Sequence, residues 1–100
     1  MNKLIGVNKR VENNGKRIIW QATVRKMING NIIRFKKDAP FTEEGMYKCG
    51  IFYNIITRIL NGKKAKQNFI PDKYKHLFSL NEIQEIENKV LQKYQLIKID

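Results

Sequence analysis

Serine, cysteine and histidine each occur once in this chain of 100 residues, as Ser79, Cys49 and His76, and proline occurs twice. Each scarcity closes off a class of function. A lone cysteine excludes an intramolecular disulfide and a multi-cysteine zinc site. His76 is the only histidine and has no cysteine near it, so it reads as a surface or packing residue, and no metal or cofactor is expected. With a single serine the chain does not resemble an organellar transit peptide, which is rich in Arg and Ser. No apolar run approaches the roughly 18 residues of a membrane span, and the opening Met1 to Val7 lacks the sustained apolar stretch of a signal peptide. The expectation is an intracellular chain with no membrane partner, nuclear, cytoplasmic (nucleoid) or inside an organelle.

Catalytic signatures are missing as well. Cys49 lies at an apolar helical position, so a buried thiol is expected. Gly45 and Gly50 are not followed by Gly-Lys-Ser/Thr and make no phosphate loop. Glu82, Glu85 and Glu87 read as a solvated helix face. No enzymatic activity is expected.

Positive charge is plentiful, and it is unevenly placed. The formal net charge is +11; residues 1–42 hold +8 of it, ten Lys and Arg against Glu12 and Asp38. The other 58 residues hold +3. The basic part also alternates apolar and polar residues, the pattern of a half-buried strand. A basic stripe on one sheet face is the electrostatic footprint of a nucleic-acid binder.

Leu4 to Val11 reads as a first strand, closed by Asn13-Asn14-Gly15. Ile18 to Met27 reads as a second, with Trp20, Ala22 and Val24 on one side and Gln21, Thr23 and Arg25 on the other. Asn29-Gly30 is a type I′ hairpin signal. Asn31 to Lys37 is the third strand, with Ile33 and Phe35 inward and Arg34 and Lys36 outward, and Asp38-Ala39-Pro40-Phe41 breaks the pattern. Thr42 caps a helix whose first turn carries Glu43 and Glu44. Its apolar side runs through Cys49, Phe52, Tyr53, Ile56, Ile59 and Leu60 and stops at Asn61-Gly62. Gly50 costs this helix roughly 1 kcal/mol against Ala, which points to a close approach of helix to sheet. A three-stranded sheet cannot bury itself, so the helix should cover the Trp20/Ala22/Val24/Ile33/Phe35 face. Beyond the basic loop Lys63-Lys64-Ala65-Lys66, Ser79 and Glu82 form a capping box with Phe78 and Ile83 as its staple. That second helix continues along Ile83, Ile86, Val90 and Tyr94 to about Gln95, and Leu96-Ile97-Lys98-Ile99 suits either a short strand or more helix. The expected fold is α+β: a three-stranded antiparallel sheet packed on one helix (residues 1–72), plus a C-terminal helical extension (residues 73–100) that braces the domain or mediates homodimerisation.

Gly6-Val7, Trp20-Gln21-Ala22-Thr23-Val24-Arg25, Tyr53-Asn54 and Gly62-Lys63-Lys64-Ala65-Lys66-Gln67-Asn68-Phe69 resemble the Apetala-two/ethylene-response-factor DNA-binding domain. That family's pattern runs Gly-Val, Trp-x-Ala-x-Ile-Arg, Tyr-Asp, then Gly-x-x-Ala-x-x-Asn-Phe, and the resemblance covers about Ile5 to Phe69. It implies three antiparallel strands on one helix, with the sheet laid in the DNA major groove. Carried over by position, the contact sites implied are Asn8, Arg10, Thr23, Arg25, Ile32 and Arg34. Arg10 and Arg25 match family arginines. Thr23 stands where plant members commonly have Glu, Arg34 where they often have Trp, and Asn8 and Ile32 replace arginines. The first loop is longer and lacks the usual Trp-Gly, and three extra residues precede the helix Tyr, so a plant-type target sequence is not expected.

Arginine on an exposed strand can fork onto guanine O6 and N7, whereas lysine neutralises phosphate as a point charge. The candidate DNA-binding residues are Asn8, Arg10, Gln21, Thr23, Arg25, Arg34 and Lys36. Lys9, Lys16, Arg17, Lys26 and Lys37 suit phosphate contact. Trp20 can stack a base, but its inward position favours packing; Tyr53 reads the same way. The expected partner is duplex DNA, as for a transcriptional regulator or mobile-element protein, with structured RNA second. Three rivals stand beside it: a ribosomal-type RNA binder, an interaction protein meeting an acidic partner, and a targeting fragment of a nuclease or integrase whose catalytic part lies elsewhere.

Overall fold

A computed structural model describes residues 4–98 of the chain. Three antiparallel strands, β1 (Val7–Glu12), β2 (Arg17–Ile28) and β3 (Asn31–Pro40), form one sheet in the order β1-β2-β3. Helix α1 (Glu43–Asn61) packs on this sheet, and α2 (Leu80–Lys98) packs beside α1 and along β3. The expected α+β fold is the one observed.

Local chemistry explains each junction. Asn29 and Gly30 have φ of 50° and 79°, so the β2–β3 hairpin closes through the expected type I′ geometry. Thr42 is extended, and its hydroxyl accepts the Gly45 N–H at 2.9 Å, with Glu43 and Glu44 in the first turn. At the other end Gly62, at φ 63°, donates its N–H to the Arg58 carbonyl. The capping box of α2 is complete: Glu82 N–H donates to Ser79 Oγ at 3.1 Å, and Ser79 N–H donates to Glu82 Oε1 at 3.0 Å. That backbone donor holds the Glu82 carboxyl below its usual range.

The strand ends differ from expectation for steric reasons. β1 begins at Val7, because Leu4 is buried and the chain turns through Ile5 and Gly6 before pairing starts. β3 continues through Pro40: Ala39 is only 6% exposed opposite Trp20, and Pro40 ends an edge strand, where a missing N–H is tolerated. Leu96 and its successors to Lys98 extend α2 as helix; Ile99 lies outside the described residues. The close approach of helix to sheet falls on Gly45, where a Cβ would collide with the Pro40 carbonyl oxygen. Gly50 instead meets the side-chain tips of Leu4 and Ile70, so the segments flanking the sheet-helix unit pack there.

One core runs through the chain. Val7, Ala22, Val24, Ile33 and Phe35 of the sheet meet Met46, Cys49, Phe52, Ile56 and Leu60 of α1, and Phe78 and Val90 close the same cluster from the C-terminal part. Cys49 is fully buried as expected, and burial pushes its thiol up to about 11. Asn68 supplies the polar anchor. It exchanges two hydrogen bonds with the Ile5 backbone (2.6 and 3.0 Å), while its own backbone N–H and carbonyl bond the Asn54 side chain at 2.7 and 2.9 Å.

Gly45 and Gly50 separate two costs. Gly45→Ala should lower stability by about 1–3 kcal/mol, because a backbone carbonyl cannot move aside. Gly50→Ala should change it far less, since side-chain tips rotate and helix propensity improves. Urea unfolding of both variants checks this.

Candidate nucleic-acid interface

Strand alternation divides the sheet into two faces. The face turned from α1 carries, in paired rows, Glu12 and Arg17; Arg10, Ile19 and Pro40; Asn8, Gln21 and Asp38; Thr23 and Lys36; Arg25 and Arg34; Met27 and Ile32. The expected readers Asn8, Arg10, Gln21, Thr23, Arg25, Arg34 and Lys36 therefore share one surface, and Arg17 joins them.

That surface has two halves. In the half bounded by β1, charge is paired. Glu12 bridges Arg10 at 3.3 Å and Arg17 at 3.4 Å. Arg10 Nη1 donates to Gln21 Oε1 at 3.2 Å, and Gln21 Nε2 donates to Asp38 Oδ1 at 2.8 Å, so one relay crosses all three strands. Exposed pairs of this kind are worth about 0–1 kcal/mol each; their effect is to orient Arg10 and fix the Gln21 amide. In the other half Arg25 and Arg34 stand directly opposite one another, with Lys36 and Thr23 in the next row. Among the described residues, none of these three cations has a carboxylate partner. β1 does not reach this half, since its pairing ends at Val7 with Ala22. The uncompensated half is therefore a two-stranded ribbon, tipped by Met27 and Ile32, which are 66% and 48% exposed.

Three expected phosphate contacts lie on the α1 side instead. Lys26 donates from Nζ to the Leu60 carbonyl at 2.7 Å and to Asn61 Oδ1 at 2.6 Å, capping the end of α1. Lys9 lies 5.5 Å from the Phe41 ring centre, and Lys37 lies 5.7 Å from that of Phe78. Their alternation with Val7, Val24 and Phe35 was the signal that separates them from the outer face. Lys16 is exposed in the β1–β2 turn. Trp20 faces α1, stacked on Phe41 at 4.8 Å, with its buried indole N–H lacking a hydrogen-bond partner among the described residues. Asp38, read from sequence only as part of a strand break, belongs to the relay. Of the closing Asn68-Phe69 pair, Asn68 is the buried anchor and Phe69 is 81% exposed.

Among the described residues, no group of His, Cys, Asp and Glu is placed to hold a metal, and no helix is long and apolar enough to cross a membrane. Comparison of the chain with protein families, curated proteins and solved structures finds no match.

Like charges directly opposite on a sheet destabilise it, whereas opposite charges contribute roughly 0.2–1 kcal/mol. Arg25→Glu should therefore raise the stability of the free protein by about that amount, and Arg34→Glu should do the same. Thermal unfolding at low salt checks the sign; a melting point lowered by both would show that the two guanidinium groups are not in repulsive contact.

Proposed function

We propose that the chain is a sequence-selective duplex-DNA-binding domain that lays the outer face of its sheet in the major groove, in the manner of the Apetala-two/ethylene-response-factor domains its sequence resembles. A transcriptional regulator or a mobile-element DNA-binding protein fits this reading. The observation that carries it is the Arg25–Arg34 pair: two arginines opposite each other, with no carboxylate paired to either among the described residues, on the face turned from α1. A folded chain bears that repulsion without benefit unless an anion arrives to relieve it.

Shape selects among polyanions. The major groove of B-form DNA, about 12 Å wide, admits a two-stranded ribbon, and adjacent strands lie about 4.8 Å apart. The groove of A-form RNA is deep and narrow, and single-stranded RNA is held by stacking on aromatic residues. The paired rows of the outer face contain no aromatic residue. Arg25 and Arg34 would reach base edges, with Arg10, pre-aligned by Glu12 and Gln21, beside them. Thr23, Gln21 and Asn8 would supply secondary polar contacts, while Lys36, Arg17 and Lys16 neutralise phosphates.

Binding-site selection at physiological salt should yield a short preferred duplex. Arg25→Ala and Arg34→Ala should each cost about 1–3 kcal/mol on that duplex and narrow the gap to random DNA. Lys36→Ala should weaken all duplexes alike. Preference for structured RNA over duplex DNA in competition at fixed salt would overturn the reading, as would unchanged affinity after Arg25→Ala.

A further inference from the structure

β2 outruns β1, and the edge it leaves open is bordered by positive charge. Thr23 donates its backbone N–H to the Gly6 carbonyl at 3.0 Å, the last bond on that side. By the two-residue alternation of a strand, Arg25 and Met27 turn their N–H groups to the same edge, beyond the reach of β1. Two adjoining surface hollows follow this edge. One is lined by Thr23, Arg25 and Lys26, the other by Lys64, Ala65 and Lys66, and both share Lys26, Tyr53, Leu60 and Asn61. No acidic residue lines either hollow.

A helix C-terminus is a poor neighbour for an anion, because its free carbonyls carry partial negative charge. Here that end is already compensated: Lys26 sits on the Leu60 carbonyl, and Gly62 N–H on that of Arg58. Lys64 and Lys66, exposed and without ion pairs among the described residues, are left for an external anion. The turn of 3-10 helix at Gly62–Lys64 presents the loop beside the β2 edge.

We propose that the open edge of β2 and the Lys64–Lys66 loop form a phosphate-binding track, which grips one sugar-phosphate strand flanking the groove that holds the sheet. This rests on the sheet-face reading, and the partner is the same duplex DNA. Lys64 and Lys66 act as point charges, and the N–H groups of Arg25 and Met27 supply directional donors to phosphate oxygens, a common way for proteins to fix register on a duplex. Base selection stays with Arg25 and Arg34.

The test measures log affinity against log salt for the full chain on the selected duplex and on random duplex. Lys64→Gln with Lys66→Gln should reduce the slope by about 2 on both, at roughly 0.9 for each phosphate no longer neutralised, and leave the ratio of the two affinities unchanged. Lys73→Gln with Lys75→Gln makes the same change in net charge on either side of Tyr74, where neither lysine lines the two hollows, and should leave the slope nearly intact. Amide exchange at Arg25 and Met27 should slow when duplex is added. An unchanged slope in the Lys64/Lys66 variant, or an equal drop in the Lys73/Lys75 variant, overturns the track; if Arg25→Ala still destroys selectivity, the sheet reading stands without it. If wild-type chain shows no preference for duplex DNA, both fall together.

Discussion

Ala22, fully buried in the middle of the central strand, sets the distance at which α1 can lie on the sheet. A larger side chain there would lift the helix off Val7, Val24 and Phe35, and the core between sheet and helix would lose its density. Because side chains alternate along β2, placing Ala22 and Val24 under α1 sends Thr23 and Arg25 to the opposite face with no freedom to choose. The same commitment carries Lys36 and Arg34 outward on β3 and Asn8 and Arg10 outward on β1, since register is shared across the hairpins. The basic surface is thus a consequence of how the core is filled.

Energetics then separates residues that resemble each other in sequence. Arg10 and Arg25 are both outward strand arginines, yet one is tied to Glu12 and Gln21 and the other faces Arg34. A tied guanidinium loses little rotational freedom on binding but must give up or share its carboxylate; a repelled one gains Coulomb energy from the first phosphate or base edge that approaches. A face with both kinds can hold its orientation at one end while the other end takes up charge. The proposed groove contact needs both properties, because phosphate attraction alone gives affinity without register.

Much of this was legible in the sequence, and the parts that were not have identifiable causes. Three strands, the Asn29-Gly30 turn, the Thr42 cap and the Ser79/Glu82 box are local signals, and apart from the strand ends each is where the residues placed it. The end of β3 was obscured because Pro40 breaks most strands, whereas a terminal position on an edge is exempt. Gly50 and Gly45 look alike in a helix, and only the tertiary fold shows that Gly45 meets a backbone carbonyl. Lys9, Lys26 and Lys37 count toward net charge in any sequence tally; alternation assigns them to the α1 side, where their stems and charges cover rings and carbonyls. The Arg10–Gln21–Asp38 relay joins residues from three strands, and it becomes visible only once the register is known.

The β3 edge of the sheet and the stretch of β2 that outruns β1 are handled differently, and the difference gives α2 a duty within a single chain. β3 is a ten-residue edge strand, long enough to recruit a strand from another molecule. α2 runs beside it: Lys93 lies 3.5 Å from the Arg34 carbonyl oxygen and 5.0 Å from the centre of the Phe35 ring. Its Val90 is sealed into the core, so the helix cannot lift away without exposing apolar surface. The uncovered edge of β2 needs no such cover, since it is short and bordered by Arg25, Lys64 and Lys66, whose like charges discourage pairing with a second copy. A basic edge that repels its own kind and an edge flanked by a helix both discourage pairing with a second copy, and both leave the outer face clear for the proposed duplex.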